Sequence, residues 1–276
     1  MGTVREDFAA LVAAGERTDL ARAALTIARI AYPTLDPDPS LRELDTLAAA
    51  VRPRLFPDAA PDVAARELSA YLFGERGFRG NRDEYYDPRN SYLNDVLTRR
   101  TGIPISLSVV FIETGARLGL AIEGVGFPGH FLVRVPTATG ALILDPFFGG
   151  RAIDDAELLS RYRALHGEDV SALPRDALET TGTLAILTRM LRNLLRIYLE
   201  RKESPHALAA ADLLLVLAPD SPDELRIRGL LYEELECFGP ALDDVRRYLT
   251  IAPDAPDAEQ MQERVARLVR LASTIH

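Results

Sequence analysis

The segment RGNRDEYYDPRNSYLNDVLTRRTGIPISLSVVFIETGARLGLAIEGVGFPGHFLVR (residues 79–134), with LDPFFGG at 144–150, carries the strongest structural signal in the chain. After a charged, aromatic loop and a first helix, a second helix is predicted to begin at Pro104, a favoured first-turn residue, and to end near Gly119. Three short strands follow, at 121–127, 130–135 and 141–147. The glycine-containing turn at 137–140 predicts that the last two strands form a hairpin.

The predicted hairpin would bring a histidine and an aspartate together. His130 begins one strand and Asp145 lies near the end of the next, so antiparallel pairing places both at the same end of the hairpin. A carboxylate there can accept a hydrogen bond from imidazole Nδ1–H, which sets the tautomer and orientation of the ring. This is the base-and-orienter part of a nucleophile–His–Asp triad. The nucleophile of such a site would lie at the N-terminus of a packed helix, and the helix beginning at Pro104 has the right place in the sequence.

The composition argues against several classes of function. The formal net charge of −9 disfavours non-specific binding to DNA, RNA or anionic lipid, because such binding needs clustered Lys and Arg. The only cysteine is Cys237, which excludes an intrachain disulfide and a cysteine-rich metal site. The four histidines are scattered, and the chain lacks a nucleotide-binding glycine loop. We therefore predict no metal, no cofactor and no nucleic-acid partner.

The N-terminal part is predicted to be helical and to belong to a cytoplasmic protein. The segment MGTVREDFAALVAAGERTDL (1–20) contains acidic residues and lacks the basic start and apolar stretch of a signal peptide. No apolar run approaches the ~20 residues of a membrane span, so we expect no membrane association. Over residues 5–74, apolar residues recur three and four positions apart and prolines separate the segments, which indicates a series of helices.

The C-terminal third repeats itself. LAPDSPDE at 217–224 recurs as IAPDAPDA at 251–258, an offset of 34 residues, and Tyr198 recurs as Tyr232 at the same offset. This period is typical of the helix–turn–helix tetratricopeptide repeat. The two tyrosines are interpreted as core positions of the repeat. Because about three repeats are usually needed for stability, we expect this short array, over 184–276, to pack against the N-terminal part.

These patterns divide the chain into three parts. We predict a mixed α+β domain with its N-terminal helices over 1–155, a connector over 156–183, and the all-α array over 184–276. The stretch 151–183 is predicted to be helical, with Pro174 as an interruption.

Four motifs taken together, NSYLNDVL, GIPISL, FPGHF and LDPF, make the chain similar to the bacterial SirB-type proteins over roughly residues 25–260. These proteins combine a transglutaminase-like core with tetratricopeptide repeats. The resemblance implies a papain/transglutaminase-like α+β domain with a small antiparallel sheet, followed by all-α tetratricopeptide helix pairs. In that superfamily a helix-borne cysteine precedes a strand histidine and a strand aspartate, and His130 and Asp145 match the last two.

The cysteine of the resemblance does not carry over. If Gly119 is aligned with the glycine that ends the helix in active members, and Phe111 with their helix phenylalanine, the nucleophile position falls on Pro104. Cys237 lies in the second repeat and cannot replace it. Ser106 is the nearest residue with a nucleophilic atom. It could act as a substitute nucleophile, or it could cap the start of the helix, as serine often does.

The loop before the first helix supplies the candidates for ligand binding. Asn90 and Asn94 could donate to a carbonyl oxygen in the groove, or they could be a helix cap and a buried structural amide. Tyr85 and Tyr86 could line a cleft, or they could pack the loop against the domain. For each of these residues the structural role is the simpler interpretation.

Three functions fit these observations. The first, which we favour because the nucleophile is missing, is a non-catalytic binding or scaffold protein: its groove recognises a peptide or small ligand and its array binds a protein or peptide partner. The second is a hydrolase or amidase that uses Ser106, His130 and Asp145. The third is a structural role, in which the N-terminal domain completes a short solenoid and the His–Asp pair only holds the end of the hairpin.

Overall fold

The structure, a computed structural model, describes residues 2–274. Met1 and residues 275–276, the last two positions of the predicted array, lie outside it. The described part confirms the predicted α+β domain followed by helix pairs. Within it, no helix combines the length and the apolar character that crossing a bilayer requires.

The helices are α1 (Val4–Val12), α2 (Leu20–Ala28), α3 (Asp38–Val51), α4 (Pro61–Ser69), α5 (Leu93–Arg99), α6 (Pro104–Leu118), α7 (Asp155–His166), α8 (Thr183–Glu200), α9 (Ser204–Leu217), α10 (Pro222–Glu234), α11 (Phe238–Ile251) and α12 (Ala258–Thr274). The strands are β1 (Arg79–Gly80), β2 (Thr101–Gly102), β3 (Glu123–Val125), β4 (Leu132–Thr137), β5 (Gly140–Asp145), β6 (Arg151–Ile153) and β7 (Thr180–Thr181).

The N-terminal helices α1–α4 begin at local signals in the sequence. Thr3 and Glu6 form a reciprocal capping box at α1, because each side chain accepts the backbone N–H of the other residue. Asp19 caps α2 by accepting the N–H of Arg22, and Pro61 is the first residue of α4. Nearly every residue of α2 is buried, so this alanine-rich helix lies at the centre of the helical layer.

Strands β3–β7 form one antiparallel sheet with the order β6-β5-β4-β3-β7. The predicted hairpin is confirmed as β4–β5 at its centre, where Thr137 pairs with Gly140 and Val133 with Leu144. Strands β1 and β2 form a separate parallel pair beside the start of α6. The sheet thus holds the hairpin end, with Asp145 as the last residue of β5, next to the helical layer.

The prediction of a purely helical stretch over 151–183 is wrong. This stretch contains α7, but β6 pairs with β5 and β7 pairs with β3, so it supplies both edge strands of the sheet. These strands are three and two residues long. Periodicity cannot reveal such short strands, because an alternating pattern needs about four residues to be recognised.

Helix α6 begins and ends where the sequence predicts. Pro104 is its first residue, and Gly119 follows its last residue in the left-handed conformation with φ 84°. The N–H groups of Gly119 and Leu120 donate to the carbonyl oxygens of Ala116 and Gly115, which closes the helix. Most of the helix is buried between the sheet and the N-terminal helices. Its N-terminus therefore has a fixed position relative to the hairpin.

The first helix pair of the array shares its core with the N-terminal domain. Most buried residues of α8 and α9 belong to the same hydrophobic cluster as those of α2, α5 and α6. Most buried residues of α10–α12, but not Leu231, form a second cluster together with Leu215 of α9. A buried hydrogen bond of 2.6 Å joins the hydroxyl groups of Tyr92 and Tyr198 across the boundary. The array therefore packs on the N-terminal part through a continuous core.

Two adjacent glycines after β5 give a matched test of how the end of the hairpin packs against the segment around Ser69 and Phe73. Gly149 and Gly150 both have positive φ, at 80° and 68°. A Cβ on Gly149 meets no atom within 4 Å, whereas one on Gly150 overlaps Ser69 Oγ and the ring of Phe73. We expect Gly149→Ala to cost about 1–2 kcal/mol of unfolding free energy from backbone strain. Gly150→Ala should cost a further ~1–3 kcal/mol from overpacking. Urea unfolding of both variants measures the difference, and equal losses would contradict the packing described.

Candidate functional site

His130 and Asp145 meet at one end of the β4–β5 hairpin. Asp145 is the last residue of β5 and is 0% exposed. His130 lies in a turn just before β4, where its N–H donates to the carbonyl oxygen of Phe127. The imidazole Nε2 and the carboxylate Oδ1 are 2.9 Å apart. The structure thus brings together the two residues that the hairpin pattern singles out.

The nitrogen that faces the carboxylate differs from the expected one. The sequence predicts an Nδ1–H bond to Asp145, but the bond is made by Nε2. His130 lies in the turn two residues before β4, so its ring reaches across to Asp145 with the more distant nitrogen. An ionised carboxylate can only accept, so Nε2 carries the proton. Nδ1 is then the nitrogen left to act on a ligand.

Asp145 is held as an ionised carboxylate. Besides His130, its Oδ1 accepts the N–H groups of Phe147 and Phe148 at 3.1 and 3.2 Å, and its Oδ2 accepts from Arg161 at 2.8 Å. Burial by itself raises the pKa of Asp145, but the hydrogen bonds and charges of His130 and Arg161 outweigh it and keep that pKa below its usual range. The carboxylate therefore orients the imidazole with a fixed negative charge.

Ser106 lies in the first turn of α6, but its hydroxyl serves the backbone. The residue is 0% exposed. Its hydroxyl has the carbonyl oxygen of Asn90 as an acceptor at 2.5 Å and that of Ile103 at 3.2 Å, and its Oγ accepts the N–H of Ile103 at 3.1 Å. These bonds join the loop to the helix start. This is the geometry of a cap rather than that of a hydroxyl presented to a substrate.

Ser106→Ala should therefore be a stability variant. It removes the 2.5 Å bond to the carbonyl oxygen of Asn90 and the shorter of the two bonds of the Ile103 N–H, which keeps only the Asn90 carbonyl oxygen at 3.3 Å, so we expect a loss of about 1–2 kcal/mol in unfolding free energy. Ser108 in the same helix is a matched control, because its hydroxyl only donates back to the carbonyl oxygen of Pro104. Ser108→Ala should change stability by less than about 0.5 kcal/mol, since such back-bonding adds little to a helix. Urea denaturation compares them, and a neutral Ser106→Ala would refute the capping role.

The two asparagines have different surroundings. Asn90 is buried, and its amide Nδ2 donates to the carbonyl oxygens of Glu84 and Tyr85, while its Oδ1 accepts from Asn81. Its hydrogen-bonding groups hold the loop together. Asn94 lies in the first turn of α5, and its buried Oδ1 has no hydrogen-bond partner among the described residues. The structure does not bring Asn94 into the cavity beside His130.

Tyr85 and Tyr86 lie at the mouth of the site. Tyr85 lines the cavity beside His130 and packs edge-to-face on Phe147. Tyr86 is half exposed, packs edge-to-face on Tyr85 and carries the guanidinium of Arg196 over its ring. The loop that carries the two tyrosines therefore packs against one side of the site and leaves another part of it open to solvent.

A cavity of about 180 Å³ lies between the α+β core and α8. Three sequence-distant segments of the core form its walls, namely the tyrosine loop, the start of α6 and the turn that carries His130. The fourth wall is α8. The lining residues are Tyr85, Ile103, Pro104, Ile105, Gly129, His130, Phe131, Arg189, Asn193 and Arg196. Pro104, to which the resemblance assigns the place of the cysteine, thus shares the cavity with His130.

Helices α7 and α8 add residues to the site that the sequence pattern does not indicate. Arg161 of α7 binds Asp145, and Arg189, Asn193 and Arg196 of α8 face the cavity. The last three are spaced by four and three residues, so they share one helix face. That spacing is visible in the sequence, but nothing local indicates that this face meets the hairpin. Their role depends on the packing of the array against the core.

Comparison with known proteins agrees with this architecture. The family model described as the transglutaminase-like superfamily matches residues 39–192, and a tetratricopeptide repeat model matches residues 194–266. A UPF0162 protein of Xylella fastidiosa is 41% identical over 256 residues, which cover 92% of this chain and 91% of the relative. A UPF0162 protein of Pseudomonas aeruginosa is 34% identical over 257 residues, 92% of this chain and 93% of the relative.

Protein SirB1 of Salmonella typhimurium is 26% identical over 234 residues, which cover 85% of this chain and 87% of that protein. No solved structure matches. The resemblance to SirB-type proteins that the sequence motifs indicate is thereby confirmed. The chain belongs to the transglutaminase-like superfamily and, within it, to the tetratricopeptide-bearing group of UPF0162 and SirB-type proteins.

Proposed function

We propose that this protein is a non-catalytic binding module whose cleft, between the α+β core and α8, holds a peptide or a small ligand. The observation that carries the proposal is the start of α6. The residues that it contributes to the cavity of His130 are Ile103, Pro104 and Ile105, none of which has a nucleophilic side chain. A His–Asp pair without a nucleophile does not transfer an acyl group by the covalent route. The geometry of the pair then serves to position ligand-binding groups.

The repeat array supports a second role for the chain, the binding of a protein or peptide partner. Arrays of this kind present extended surfaces that take peptides or helices. Here the first helix pair is buried in the shared core, whereas α10–α12 have their own hydrophobic cluster and extend beyond it. We assign the partner surface to these last helices. A ligand in the cleft and a partner on the array would then occupy separate surfaces of one chain.

The competing function is a Ser106–His130–Asp145 hydrolase. It requires the Ser106 hydroxyl to leave its bond to the Asn90 carbonyl oxygen and to reach the free imidazole nitrogen. The cost of that exchange, together with the burial of Ser106, favours the binding role. A purely structural domain is also less favoured, because the tyrosine loop leaves a cavity beside His130.

Labelling with a fluorophosphonate probe tests the proposal. Wild type, Ser106→Ala and His130→Ala are incubated with the probe, with an active serine hydrolase as the positive control. We expect no labelling that depends on either residue, because Oγ is committed to the backbone. Stoichiometric labelling of the wild type that is lost in both variants would establish the hydrolase and overturn the non-catalytic assignment.

A further inference from the structure

The cavity beside His130 contains positive charge that the chain does not neutralise. Arg189 and Arg196 line it, and neither forms an ion pair with a carboxylate anywhere in residues 2–274. Carboxylates are in excess in this chain, which has 41 acidic residues and 32 basic ones. Arg228 of the array differs from the cavity arginines, since its guanidinium lies between the carboxylates of Asp212 and Asp244. The two cavity arginines are left without such partners.

Arg189 is poised to receive an anion. Its guanidinium lies over the ring of Phe131, and its Nη2 donates to the carbonyl oxygen of His130 at 2.6 Å. That bond fixes the orientation of the guanidinium group, whose other N–H groups remain available to a ligand. Burial lowers the pKa of Arg189, as is expected for a cation that has lost water without gaining a carboxylate.

The nearest carboxylate of the core, that of Asp145, does not neutralise the two cavity arginines. Asp145 is already bonded to His130 and Arg161, and it receives two backbone N–H groups as well. The negative charge of Asp145 is therefore already balanced by these groups, on the side of the imidazole that faces away from the cavity. No acidic residue is among those that line the cavity. The walls offer donors from Arg189, Asn193 and Arg196, together with the apolar surface of Ile105.

The size of the cavity limits the ligand. Its volume is about 180 Å³. Pockets for drug-sized ligands and cofactors measure about 300–1,000 Å³. A nucleotide cannot be enclosed in this volume, whereas a carboxylate with one small residue fits inside while the rest of a peptide extends through the open side. The combination of two cations with an apolar wall suits a carboxylate attached to carbon.

We infer that this cavity binds a carboxylate group of a peptide, held by Arg189 and Arg196 with Asn193 between them on the same face of α8. The inference rests on the proposed function, since it names the ligand class of that cleft. The planar guanidinium fork of arginine matches a carboxylate with two parallel hydrogen bonds. The amide of Asn193 can bind the peptide group next to the carboxylate. Either a C-terminal carboxylate or an Asp or Glu side chain provides this chemistry.

Titration of the full chain with small probe molecules tests the inference. Binding is monitored through the arginine Nε–Hε signals in NMR spectra. The probes are N-acetylalanine, N-acetylalaninamide, N-acetylaspartic acid α-amide and inorganic phosphate. We expect at least one of the two carboxylates to bind about tenfold more tightly than the neutral amide, because a charge-assisted pair is lost with the charge. N-acetylalanine binding more tightly indicates a C-terminal ligand. Tighter binding of the aspartate derivative indicates an acidic side chain.

Three variants complete the test. Arg196→Gln, at an exposed position, should weaken carboxylate binding about tenfold. Arg189→Lys keeps the charge at the half-buried position but loses the planar guanidinium, so it should weaken binding too. Arg246→Gln, an equal charge change at an exposed position of α11, should leave binding unchanged.

Equal binding of the amide and the carboxylates would overturn the inference, and so would tighter binding of phosphate than of either carboxylate. Both outcomes would still be compatible with the proposed ligand-binding function of the cleft. Binding of none of the probes, or binding unaffected by Arg196→Gln, would also overturn it. Serine-dependent labelling in the probe experiment above bears on the non-catalytic assignment alone, so the two failures are distinguishable.

Discussion

Replacement of Asp145 by alanine is expected to lower the free energy of unfolding by about 3–5 kcal/mol, the cost of removing one partner of a buried ion pair. The change leaves the Phe147 and Phe148 N–H groups without their acceptor, and it leaves His130 and Arg161 without the carboxylate that they share. Asp145 is 0% exposed, so these groups face a buried position in which water replaces the lost bonds poorly. The end of the hairpin and the cavity wall should loosen together.

Urea unfolding followed by circular dichroism measures this effect. Glu157→Ala is the matched control, because Glu157 also binds Arg161 but is partly exposed at the start of α7. Its ion pairs are solvated, so its loss should cost less than about 1 kcal/mol. A loss for Asp145→Ala no greater than that of Glu157→Ala would show that the carboxylate does not hold the site together.

The contribution of Asp145 should also depend on pH. Its pKa in the folded protein lies below the ordinary value of 3.8, because the interactions with His130 and Arg161 outweigh the effect of burial. A carboxyl group with a lowered folded-state pKa contributes its full stabilisation above the unfolded pKa and loses it as the pH falls through the folded pKa. The stability difference between wild type and Asp145→Asn should therefore narrow below about pH 4. A difference that persists unchanged to lower pH would contradict the lowered pKa.

Leu194→Ala, in the first helix of the array, is expected to destabilise the whole chain by about 2–5 kcal/mol, the usual cost of a cavity of this size in a core. Leu194 is 0% exposed and belongs to the cluster that α8 shares with the N-terminal domain. Because the cluster is continuous, the loss should appear in the unfolding of the α+β core as well as in that of the array. Chemical denaturation followed by tyrosine fluorescence and by circular dichroism reports both.

Leu199 on the same helix provides the control, because it is 40% exposed. Leu199→Ala should change stability by less than about 0.5 kcal/mol. The stability of the N-terminal part should suffer most in a chain that ends at residue 183, since that chain lacks every core residue of α8. We expect it to have poorly dispersed NMR signals and no cooperative unfolding. A cooperative transition in that truncated chain would show that the N-terminal part is an independent domain.

The elements that the sequence predicts well are those with local signals at both ends. Helix α6 has a first-turn proline, an apolar face and a glycine after its last residue, and the structure confirms it from Pro104 to Leu118. The β4–β5 hairpin has a turn signal between two apolar runs, and its antiparallel register brings His130 and Asp145 to one end. These signals involve residues close together in the chain, so they persist whatever the rest of the protein does.

The candidate site was predictable only in part, because contacts between distant segments complete it. The hydroxyl of Ser106 binds a carbonyl oxygen 16 residues earlier, and Arg189 binds a carbonyl oxygen 59 residues earlier. Neither pairing leaves a periodic pattern, and the same is true of the two short edge strands β6 and β7. The choice of Nε2 over Nδ1 likewise follows from the turn geometry at His130, which no spacing reveals.

The amino-acid sequence was sufficient to establish the α+β class, the 34-residue repeat and the absence of a cysteine at the start of α6, because periodicity, turn signals and residue identity are local properties. The positive cavity depended on tertiary packing. Arg189, Asn193 and Arg196 form an ordinary polar face of an amphipathic helix until the apolar face of α8 packs into the shared core. Burial of that apolar face is the interaction that turns the arginines toward His130.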